Sequence, residues 1–119
     1  MDLDVLLKMR IKKQPLSFQL LEPWELLPHD GAALVLELKK ELRPDSELYG
    51  LEAEAIAQRC DCDDVLFKIK GRLEQLAVVH LTWSGKTDPN KGWPSTELYA
   101  DADSWKTNCM IPDHEDYTA

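Results

Sequence analysis

The stretch "DDVLFKIKGRLEQLAVVHLTW", residues 63–83, decides the fold. Its first part sets Val65, Phe67 and Ile69 against Leu66, Lys68 and Lys70, the two-residue period of a strand. Its last part, "LAVVHLTW", is β-rich and apolar on both faces, as in a strand covered on both sides. Between them "GRLEQ", with Gly71, predicts a hairpin loop. Two strands alone are marginal in water, so a third is needed. Residues 48–59 supply it by alternation: Tyr49, Leu51, Ala53, Ala55 and Ala57 share one side, and Glu52, Glu54 and Gln58 the other. Alanine and glutamate favour helix by propensity, but the alternation and the neighbouring hairpin outweigh that preference.

Outward from this core, "VVHLTW" is expected to be a central, mostly buried strand. The following "SGKTDPNKGWP" is expected to be a surface loop, because Pro89, Asn90, Gly92 and Pro94 forbid regular structure. A short fourth strand, "TELY", follows. Upstream, "DGAALVLELKKELRP" is a clear helix: Asp30 caps it and Leu34, Leu38 and Leu42 form one stripe that Val35 widens. Lys39, Lys40 and Arg43 sit at its negative end and Pro44 stops it. "DADSWKTNCM" predicts a second, shorter helix capped by Asp101.

These elements predict one α+β domain over residues 1–119. It is an antiparallel three- to four-stranded meander with two helices packed on one face. Residues 1–29 form an arm laid across the core, since Leu20, Leu21, Trp24, Leu26 and Leu27 are too apolar to stay in water. Residues 112–119 are expected to be a frayed acidic tail. The face opposite the helices carries Glu52, Glu54, Lys68 and Lys70. If Leu66, Val79 and Leu81 also point there it needs a cover, either the arm or a second copy in a homodimer.

The chain has 22 acidic and 14 basic residues, a formal charge of −8. Such a field repels polyanions, which excludes general nucleic-acid binding and favours a basic protein partner or a cationic small molecule. No apolar run is long enough to span a membrane. The first residues place acids before bases, the reverse of a secretory signal, which predicts a cytoplasmic location. Three cysteines, Cys60, Cys62 and Cys109, suit reduced thiols better than a disulfide framework.

Candidate chemistry is sparse. His80 shares a strand face with Val78 and Thr82, and Asp63 or Asp64 could approach it from the neighbouring strand. A core histidine satisfied by one partner is the preferred interpretation over a general base. The "CDCDD" segment lacks the paired spacing of a zinc site and the glycine and final glutamate of a calcium loop, so neither a metal nor a cofactor is expected. No nucleophile elbow or phosphate-cradling loop is present, so no catalytic residue is assigned. Four tryptophans remain, and Trp93, in a polar loop, has the least obvious folding role. Tryptophan is enriched at interface hot spots. The candidate ligand- or partner-binding residues are therefore Trp93, Trp83, His80, Asp63 and Asp64.

At "DDVLFKI" and "AVVHLTWSGK" the chain resembles a group of small bacterial proteins with a helix, a strand, Asp-Asp-Val-Leu-Phe, Val-Val-His-Leu-Thr-Trp, a Pro-Ser/Thr-Thr-Glu loop and a short aromatic helix. The resemblance spans residues 22–112 and implies a strand at 48–59, with no activity to carry over. In size, acidity and layout the chain is more loosely similar to bacterial immunity proteins and to orphan proteins of integron and other mobile gene cassettes. The function expected from all this is a non-enzymatic acidic binding protein. The alternative is a small-molecule-binding protein or enzyme with a pocket near His80 and the 86–94 loop.

Overall fold

The computed structural model describes residues 16–72, 75–90 and 92–119. Its centre is a five-stranded antiparallel meander of β1 (Trp24–Leu26), β2 (Ala53–Arg59), β3 (Asp64–Ile69), β4 (Leu76–His80) and β5 (Ser95–Tyr99), paired in chain order. The fold is α+β, with one strand more than expected, because the proline-rich arm contributes β1 as an edge strand. That piece is too short and too broken to show a period.

Helix α1 (Ala32–Glu41) lies on one face of the sheet. Its Leu34 and Leu38, with Leu42 just beyond it, form one buried cluster with Val65, Phe67, Ala77, Val79 and Leu81. Asp30 accepts from the Ala32 N–H at 3.0 Å, while the N-cap residue is Gly31. Gly31 has φ +81, and a Cβ there would stand 2.8 Å from the Ala55 side chain. Only glycine allows the helix to start so close to the sheet.

The second helical region does not join α1, which corrects the expectation of two helices on one face. Helix α2 (Ala102–Trp105), a π-helical segment (Lys106–Met110) and helix α3 (Ile111–Thr118) run on continuously against the other face. Trp105, Cys109 and Met110 are buried there with Leu16, Trp24, Ile56, Leu66 and Val78. The physical reason is that β4 and β3 are apolar on both faces, so each face needs its own cover. Trp105 is fully buried between Phe18, stacked at 6.1 Å, and Trp24, edge-on at 5.2 Å. The chain thus covers its second face itself, which removes the ground on which a second copy was expected. Residues 112–119 are not frayed up to Thr118. Asp113 is held by the Trp24 indole N–H at 2.9 Å and by Arg59 at 3.4 Å, and His114 Nδ1 lies 2.7 Å from the Glu22 carbonyl oxygen. Of the arm, residues 16–29 fall within the described part, and Leu16, Phe18 and Leu20 pack on the second face. The expectation for residues 1–15 lies outside the described residues.

A β-bulge between Ala55 and Ala57 shifts the pairing of β2 with β3. Ala53 and Ala55 face α1, whereas Ile56 and Ala57 belong to the other cluster. The simple alternation expected over 48–59 breaks at this point, and the strand itself begins only at Ala53. Because the side-chain period is two, the bulge flips everything after it. Arg59 is thereby carried to the face of the C-terminal helices.

Candidate functional site

Strand β4 ends at His80, directly opposite Asp64 on β3 and Ser95 on β5. This cross-strand register brings the His80 Nδ1 to 2.7 Å from Asp64 Oδ1. A carboxylate only accepts, so Nδ1 carries a proton, and in the neutral imidazole Nε2 presents a lone pair. The His80 side chain is 42% exposed and lines a cleft of about 230 Å3 between the sheet and the C-terminal helices. It is neither sealed nor a core histidine, which corrects the preferred sequence interpretation. Of the run "VVHLTW", the strand stops at His80 and burial at Leu81, beyond which Thr82 and Trp83 are exposed. Asp64 is the partner that the sequence left undecided. Asp63 is exposed and takes part through its backbone, its carbonyl accepting from the Leu81 N–H at 3.2 Å.

The rest of the cleft is polar. Glu97 and Tyr99 project from β5, Arg59 from the end of β2, and Asn108, Cys109 and Asp113 from the helical wall. The Arg59 guanidinium is shared between two carboxylates: Nε and Nη2 each donate to Asp61 at 2.8 Å, and Nη1 faces Asp113. Asp61 is held below the usual carboxylate range chiefly by that bond. Tyr99 donates to Glu97 at 2.8 Å. Burial, and then Glu97, raises the Tyr99 phenol above its ordinary value, so it stays protonated. Burial also pushes the Cys109 thiol up to about 12, which leaves it a poor nucleophile at neutral pH.

Above the cleft's end, the loop from Thr82 to Pro94 is fixed by two carboxyl groups that the sequence did not reveal. Glu41, 1% exposed, accepts from the Thr82 N–H and hydroxyl at 2.8 Å each and from the Trp83 N–H at 3.0 Å. Glu37, 6% exposed, accepts from the Gly85 N–H at 3.0 Å. These bonds hold Trp83 at φ +58, a left-handed conformation that an indole-bearing residue rarely adopts. Arg43 ties the middle of the loop by donating to the Asp88 carbonyl at 2.7 Å. The signal for this brace was present as two acids four residues apart on one helix, an arrangement that repels on an exposed face.

Trp93, at the loop's other end, is 43% exposed and meets His80 edge-on with ring centres 6.3 Å apart. Trp83 is 50% exposed, so Trp93 is not the lone exposed tryptophan that the sequence suggested. The structure therefore brings His80, Asp64 and Trp93 together at one end of the sheet, and leaves Asp63 outside their contacts. Cys60 and Cys62 are exposed and unpaired, and Cys109 is buried apart from them. Among the described residues no group of three or more His, Cys, Asp or Glu side chains is placed to hold a metal ion, and no helix is long and apolar enough to cross a membrane. No family model, curated protein or solved structure matches the chain.

Proposed function

We propose that this chain is a non-enzymatic acidic binding protein, comparable in mode of action to immunity proteins or the orphan proteins of mobile gene cassettes. It captures a basic protein partner with the surface around His80, Asp64 and Trp93. The observation that carries this reading is Trp93: a half-exposed indole edge-on to His80, whose ring is paired with Asp64 and lines an acceptor-rich cleft. A large, pre-positioned aromatic gives contact area at low entropic cost, and the surrounding carboxylates steer a cationic partner toward it. The net charge of −8 acts in the same direction at longer range.

The alternative, a small-molecule binder or enzyme, draws support from one feature, the open imidazole of His80. Catalysis needs more than that. Among the described residues no hydrogen bond reaches His80 Nε2, and the neighbouring Cys109 and Tyr99 hold their protons. The binding reading is therefore preferred.

The test is affinity capture from a lysate of the encoding organism with the immobilised chain and its Trp93→Ala variant. Salt is stepped from about 0.05 M to about 0.5 M, which shortens the screening length several-fold. A basic protein retained by the wild type, released by salt and lost from the variant is expected. Retention that ignores both salt and Trp93 contradicts the reading.

A further inference from the structure

The cleft beside His80 is lined by more carboxylates than cations, Asp64, Glu97 and Asp113 against Arg59, and some of its donors are already committed. His80 donates Nδ1–H to Asp64, Tyr99 donates to Glu97 Oε2, and Asn108 donates its amide to Ser104 at 3.4 Å. Cys109 faces Asp113 at 3.5 Å, and the Arg59 fork is divided between Asp61 and Asp113. Acceptors with no hydrogen bond from any described residue include Glu97 Oε1, Asn108 Oδ1 and, in the neutral imidazole, His80 Nε2. A guest that donates in more than one direction therefore finds partners here.

Charge narrows the class. Arg59 balances Asp61 and Asp113 by direct contact, whereas Asp64 and Glu97 have no arginine or lysine among their contacts in the described residues. The guest is thus a cation as well as a donor. A volume of about 230 Å3 is several times that of one water molecule, enough for one side chain and too little for a folded segment. Several separated acceptors suit a planar fork with five N–H groups better than the compact ammonium of lysine. The wider helical turn at Lys106–Met110 forms the facing wall, and such turns recur where a helix is shaped around a ligand.

We infer that this cleft receives the guanidinium of one arginine side chain of the basic partner, seated between Glu97 and the free nitrogen of His80. The inference rests on the reading of the chain as a binder of basic proteins, and it names the partner residue that anchors the complex.

The experiment is an NMR titration of the full chain with N-acetyl-arginine methylamide, at constant ionic strength. The matching lysine and citrulline compounds serve as parallel arms, citrulline being the uncharged isostere. Saturable shifts are expected at the His80 ring and at the Ser95, Glu97 and Asn108 amides. Citrulline should give none, lysine should bind about fivefold or more weakly, and Glu97→Gln should weaken the arginine compound about tenfold, as for loss of one charge-assisted pair. Glu97 lies exposed on an edge strand, and if its variant disturbs the fold the citrulline arm on the wild type decides alone. Equal binding of citrulline or lysine, shifts confined to other surfaces, or no response to a well-folded Glu97→Gln each overturn the inference. Salt-sensitive, Trp93-dependent capture of a partner with no arginine response at the cleft overturns this inference and leaves the binding reading standing. Loss of that capture behaviour overturns the reading itself.

Discussion

Replacing Glu41 by glutamine should change how stability depends on pH. The Glu41 and Glu37 carboxyl groups lie one helical turn apart beneath the 82–85 turn, Glu41 accepting from Thr82 and Trp83 and Glu37 from Gly85. Burial, and then Glu37, raises Glu41 above its ordinary value, while Glu41 holds Glu37 below its own against the effect of burial. Of the two, Glu41 is the one pushed toward its protonated form. In the unfolded chain it ionises near 4.5. Its stabilising contribution is complete below that pH and is lost as pH rises through the raised folded value. Within that window each pH unit removes up to about 1.4 kcal/mol. Glutamine keeps an oxygen for Thr82 and offers an N–H to Glu37, but it gives up the Trp83 bond, a constant cost of about 1 kcal/mol. It does not titrate. The unfolding free energy of the wild type minus that of Glu41→Gln should thus be largest near pH 4.5 and fall as pH rises above it. Urea denaturation of both proteins at matched ionic strength, from about pH 4.5 to about pH 7, measures the difference. Parallel stability curves across that range would refute the raised ionisation of Glu41 in the folded chain.

Other outcomes follow from the same contacts. His80→Gln loses the short bond to Asp64 and should lower stability by about 1 kcal/mol, seen as a lower Tm. Trp93→Ala should leave the Tm nearly unchanged and weaken association; a larger loss of Tm in Trp93→Ala than in His80→Gln would put Trp93 in the core. Gly31→Ala combines a positive φ with a 2.8 Å approach to Ala55, and thermal melts should show a loss of about 2 kcal/mol or more. Trp105→Ala empties the centre of the second cluster and should cost about 3–5 kcal/mol by denaturant unfolding.

What could be read in advance was what repeats. Leu34, Leu38 and Leu42 gave α1, and the alternation of residues 65–69 and the apolar run of 76–81 gave the central hairpin. What escaped depends on contacts across the sheet. β1 is three residues of a proline-rich arm, defined by pairing with β2 rather than by its own pattern. The bulge at Ala55–Ala57 leaves no mark in an alanine-rich strand, so the final position of Arg59 could not be foreseen. The tail looked too polar to be ordered, yet Asp113 is anchored by Trp24, 89 residues earlier. At the site, the nearness of Asp64 or Asp63 to His80 was legible from the strand order, whereas the exposure of His80 was not. Its run looks uniformly buried, and only the point where the covering C-terminal helix departs decides that His80 faces a cleft. Glu37 and Glu41 escaped because acids on a helix are ordinarily solvated, and only the turn above them supplies the donors that make burial tolerable.

The most direct test of the account is site-specific photo-crosslinking in the cell that makes the protein. Trp93→p-benzoylphenylalanine keeps a large aromatic group at the proposed contact, and Leu36→p-benzoylphenylalanine places the same probe on α1, where Leu36 is 56% exposed. The account predicts a covalent adduct with a basic protein from position 93 and none from position 36. An adduct from position 36 alone, or an acidic or nucleic-acid adduct from position 93, would contradict it.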